Sequence, residues 1–138
     1  MKLSRREALV LAIGSVAAAA IPMTAYAAVE EAIATFTGGA AVGDAGVTLT
    51  APEIAENGNT VPVSVSAPGA TSILIVAAGN PTPGVCQFNF GEAAGAQAAS
   101  TRMRLATTQD VIAIAKMADG SFARASSEVK VTIGGCGG

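Results

Sequence analysis

Histidine and tryptophan are absent from this 138-residue chain, and cysteine occurs only twice. Without histidine, neither a histidine-ligated metal site nor a Ser-His-Asp triad can form. Two cysteines are too few to staple a disulfide scaffold. Charge is also scarce, at 13% of residues, with eight cations against ten anions. A net charge of −2 gives no electrostatic footprint for nucleic acid. Aromatics make up only 4%. Apolar residues are plentiful, at 51%, although much of that is alanine near the N-terminus. The length allows one domain of ordinary size.

Residues 1–27 read as an export signal. Lys2, Arg5 and Arg6 form a basic start, and an apolar run from Ala8 to Ile21 follows. Ala25-Tyr26-Ala27 then places small residues at the −3 and −1 positions of a signal-peptidase site. The apolar run is short for a membrane span, which needs about 20 residues. Ser4-Arg5-Arg6-Glu7-Ala8-Leu9 resembles a twin-arginine signal, with Ala8 and Val10 where phenylalanine and lysine are usual. Cleavage before Ala28 leaves five cations against nine anions, a net charge of −4. That balance suits a soluble periplasmic protein and disfavours anionic lipid surfaces.

The remainder, residues 28–133, reads as one all-β domain preceded by a short helix. Val29, Ile33 and Phe36 fall on one helical face, and Gly38-Gly39 ends it. Alternating runs then predict strands at Val47–Thr50, Val61–Ser66, Val85–Phe90, Ser100–Leu105 and Ser127–Ile133. Pro62 places its strand at an edge, or itself among the first residues of that strand. Ser72–Ala77 is continuously apolar, as a core strand is, and Asp110–Met117 is a further strand ending at an Asp119-Gly120 hairpin turn. Short strands at this spacing predict an immunoglobulin-like antiparallel β-sandwich, with a small barrel as the alternative. Gly91–Ala99 is a loop, flexible or able to dock a partner.

The chemistry concentrates at Gly134-Gly135-Cys136-Gly137-Gly138. Four glycines remove bulk around one thiol and free the backbone, so residues 134–138 read as a flexible carrier arm. Five residues past Ile133 reach at most ~17 Å, enough to place a sulfur at the bottom of a narrow pocket. The nearest cation in sequence is Lys130, so nothing beside Cys136 activates it. The arm is therefore a carrier and not a self-sufficient catalyst, and its cargo bond runs through sulfur. Cys86 shares a strand face with Phe88 and Phe90 and reads as a small buried hydrophobe. A Cys86–Cys136 disulfide is one alternative, and a mobile partner to Cys136 in another chain is the other. Asp110 and Glu128 read as isolated surface carboxylates, and the glycine-rich stretches lack the context of a phosphate cradle. No catalytic, cofactor or metal residue is assigned.

The ending Val129-Lys130-Val131-Thr132-Ile133-Gly134-Gly135-Cys136-Gly137-Gly138 resembles that of the SoxY family, sulfur-carrier subunits of periplasmic thiosulfate oxidation. The likeness extends through Glu56–Val63, Gly79–Val85, Ser100–Leu105 and Thr108–Val111. It implies a SoxZ-like partner subunit, and a carrier complex that holds pathway intermediates on Cys136. It also implies transient contact with the haem enzyme SoxAX, the hydrolase SoxB and, in some organisms, the sulfane dehydrogenase SoxCD. Two other classes compete. Gly137-Gly138 is similar to the diglycine tail of ubiquitin-like thiocarboxylate carriers, which work with ATP in the cytosol, against the export signal. An exported Ig-like interaction module without carrier chemistry is the other.

Overall fold

The computed structural model describes residues 23–132. The greater part of the expected export signal, Ile133, and the expected arm with Cys136 lie outside the described residues. Helix α1 runs over Met23–Thr37. Its expected inward face is the one that packs: Val29 and Ile33 are buried, and Phe36 meets Phe122 edge-on with ring centroids 5.9 Å apart. The helix starts upstream of that face because Met23–Ala28 is alanine-rich, and alanine is the best helix former. It therefore runs through the expected cleavage point. It stops at Gly38 and Gly39, with φ of 66° and 82°, and Gly38 N–H bonds back to Ala34 C=O at 2.8 Å.

Nine strands follow among the described residues: β1 Val42–Gly43, β2 Thr48–Thr50, β3 Ile54–Ala55, β4 Val61–Ser66, β5 Ala70–Ala77, β6 Gly84–Asn89, β7 Ala98–Met103, β8 Gln109–Met117 and β9 Phe122–Val131. The larger sheet has the order β1-β9-β8-β5-β6, with β3 also against β9, and the smaller has the order β2-β4-β7. The two pack face to face as an immunoglobulin-like sandwich. Both short strands β1 and β3 pair with β9 in parallel, one at its start and one at its end, while the other pairings are antiparallel.

Between the sheets lie Val61, Val63 and Val65 of β4, Ile73 and Ile75 of β5, and Val111, Ala113 and Ala115 of β8. On the opposite face of the larger sheet, Val76, Ile112 and Ile114 meet Val29 and Ile33 of α1. The molecule thus has three layers. β5 and β8 are covered on both faces, which is why they read as continuous apolar runs, while β4 alternates because its second face is solvated. β4 is the middle strand of its sheet, yet β2 reaches only Ser64–Ser66, so Pro62 has a strand on one side alone.

The Asp119-Gly120 turn joins β8 to β9. Met117 C=O accepts the Gly120 N–H at 3.0 Å, and Gly120 takes a φ of 86° that glycine adopts without strain. Asp119 accepts the Ser121 hydroxyl at 2.6 Å and its N–H at 2.9 Å. Those two bonds, the hydroxyl first, hold the Asp119 carboxyl below its ordinary range. β9 begins earlier than expected, at Phe122, because Ala123, Ala125 and the serines there give no alternating apolar signal. β1 and β3 had no sequence signal, being only two residues each.

Candidate functional site

The end of the sandwich where β9 finishes is built from three parts of the chain. β3 with the turn after it and the β7–β8 segment bond to the last residues of β9, and the β5–β6 loop bonds to the β7–β8 segment. Lys130 N–H donates to Glu53 C=O at 2.9 Å and Thr132 N–H to Ala55 C=O at 3.1 Å. The Thr132 hydroxyl also reaches Ala55 C=O, at 3.4 Å. On the opposite side, Val131 N–H donates to Thr108 Oγ1 at 2.9 Å.

A polar network locks the neighbouring loops. The Gln109 side chain is buried, an expensive place for an amide unless every polar atom is paired. Its Oε1 accepts the Gly79 N–H at 2.8 Å, and its Nε2 donates to Asn80 Oδ1 at 2.9 Å and Thr107 C=O at 3.0 Å. Asn80 Oδ1 also accepts the Ala106 N–H at 3.0 Å, and Nδ2 donates to Arg104 C=O at 2.8 Å. Gly79 fits because a Cβ there would lie 3.0 Å from the Gln109 Cβ. Leu105 N–H donates to Gly58 C=O at 2.7 Å, which ties in the Asn57–Thr60 turn. A cavity of about 280 Å³ opens among Asn80, Pro81, Thr82, Arg104 and Ala106.

Of the site residues read from the sequence, Cys136, Gly134, Gly135, Gly137 and Gly138 all lie outside the described residues. The described chain supplies the polar rim at the end of β9. Sequence reasoning missed Asn80, Thr108, Gln109 and Thr132 as rim residues. The available signal was that they fall in the segments that carried the family likeness.

Cys86 sits on β6 opposite Ile75. As expected, it shares its face with Phe88 and Phe90 against the core, while Gln87 and Asn89 bond to each other on the far side at 2.9 Å. The expectation of full burial needs correction: Cys86 is half-buried, because β6 is the outermost strand of its sheet. Burial still pushes its thiol pKa up. Asp110 and Glu128, read as isolated, are cross-strand neighbours in the β8–β9 register, both exposed. Among the described residues no group of three or more His, Cys, Asp or Glu side chains gathers to hold a metal ion.

Fold and rim together define a sandwich of the immunoglobulin type with an accessory helix on its larger sheet, its polar rim around the last strand. Within that class, the sequence matches the family model of the sulfur oxidation protein SoxY over residues 33–136. The chain belongs to the SoxY family. Its structure is similar to the sulfur carrier protein SoxY from Chlorobium limicola f thiosulfatophilum, with 37% identity, a TM-score of 0.68, and coverage of 78% of this chain and 99% of that one. A superoxide reductase (neelaredoxin) from Ignicoccus hospitalis shares the fold alone, at 18% identity and a TM-score of 0.56 over 63% of this chain and 80% of that one. No curated protein sequence matches.

Proposed function

We propose that this protein is a periplasmic sulfur carrier that holds thiosulfate-derived intermediates covalently on Cys136. The observation that carries the reading is a family match reaching Cys136 itself, a cysteine set between pairs of glycines. Joining the thiol to thiosulfate through a new S–S bond removes two electrons, which a SoxAX-like haem enzyme accepts. Hydrolysis by a SoxB-like enzyme then releases sulfate and leaves sulfane sulfur on the cysteine, available to a SoxCD-like dehydrogenase. The chain itself supplies the thiol and no catalytic group. A SoxZ-like subunit completes the carrier.

Export with cleavage after Ala27 is part of this reading. α1 as it stands has no acidic residue in its first turn. A helix starting at Ala28 has Glu30 and Glu31 there, where negative charge favours the helix dipole. Among the described side chains of α1, the first buried one is Val29.

Intact-protein mass tests the proposal. After incubation of the carrier complex with thiosulfate and the haem enzyme, wild type gains the thiosulfate adduct and Cys136→Ser does not. An adduct that persists in Cys136→Ser ends the reading.

A further inference from the structure

Cys136 follows β9 in sequence, so the last bonds on β9 among the described residues set the point from which its reach is counted. The final N–H groups of β9 point two ways. Lys130 and Thr132 face the β3 side, where Glu53, just ahead of the strand, and Ala55 accept them. Val131 faces β8, but β8 starts at Gln109, opposite Val129, and has no backbone acceptor further on. The Thr108 hydroxyl takes that position at 2.9 Å. Thr108 is in turn continuous with the Arg104–Thr107 segment, which Asn80 and Gln109 fasten to the β5–β6 loop.

The geometry points to Thr108 as a positioning residue for the carrier cysteine: with β3, it fixes the root from which the chain leaves for Cys136 and joins that root to the polar rim. This rests on the reading of Cys136 as the carrier site. From Thr132, four residues on to Cys136 span at most about 14 Å. If the root opens back to the buried Val129, three more residues are released and the reach grows by about 10 Å. An enzyme that touches the rim while it grips the thiol then meets the cysteine at a lower effective concentration.

Thr108→Val keeps the shape and removes the acceptor, whereas Thr108→Ser keeps the acceptor. In the carrier complex, Thr108→Val speeds hydrogen exchange at the Val131 amide. It also raises the KM of the loading enzyme for the carrier about fivefold, the weight of one hydrogen bond, with kcat unchanged. Thr108→Ser restores both. A wild-type KM in Thr108→Val, or a Val131 amide that exchanges no faster, overturns the assignment. Hydrogen exchange needs no sulfur chemistry, so failure of Cys136 to load in wild type counts against the carrier reading and leaves the root separately tested.

Discussion

The two cysteines of this chain have opposite settings. Cys136 stands among glycines in the sequence, whereas Cys86 is wedged beside Phe88 and Phe90 on an outer strand. Desolvation raises the Cys86 pKa, so the folded chain holds that proton more tightly than the unfolded chain. Its contribution to stability is complete below the ordinary thiol range, about 8.5, and fades as pH rises through the folded value. In a Cys136→Ser background at pH 8, a thiol reagent modifies Cys86 at least about tenfold more slowly in native protein than in denaturant, since the thiolate is the reactive form. Equal rates would mean that β6 leaves the sulfur open to solvent.

At the scale of elements, α1 depends on the sheet it covers. A helix this short is marginal alone and is held by its apolar face. Ile33→Ala removes a buried contact with the Val76, Ile112 and Ile114 layer and costs about 2–4 kcal/mol, read as a lower urea midpoint. An unchanged midpoint would show that the helix contributes nothing to the fold. The strands with strong patterns were legible in the sequence for the same reason that they are stable. The β4 run Val61-Pro62-Val63-Ser64-Val65-Ser66 has one wet face, and the β5 run Ser72–Ala77 has none. The short strands β1 and β3 were not legible, because two residues have no period and their pairing with β9 is a long-range event. The rim stayed hidden for a related reason. Asn80 and Gln109 are 29 positions apart, and only the folded loops make them partners.

For the whole molecule, the export reading predicts what cleavage leaves behind. A chain beginning at Ala28 retains Val29, Ile33 and Phe36, and of the described residues it gives up only 23–27, where Tyr26 is exposed. Its melting temperature stays within about 2 °C of the uncleaved chain, a shift that corresponds to well under 1 kcal/mol for a domain of this size. A larger fall measured by calorimetry would show that the upstream turns are part of the stable domain and would place the processing point elsewhere.

The parallel pairing of β1 and β3 with β9 also has a consequence in time. Val42 of β1 and Phe122 of β9 are partners eighty residues apart, and β9 stands between β1 and β8. As the chain emerges from the ribosome, the smaller sheet can assemble once Met103 is out. The earliest strands of the larger sheet must wait for one of the last. Closing so long a loop is slow, and until β9 itself has been made β8 presents an unpaired edge. A chain that stops short of residue 122 therefore lacks the middle of a sheet and not merely a tail. Completion of the domain then checks that synthesis has carried through to the residues just ahead of the cysteine.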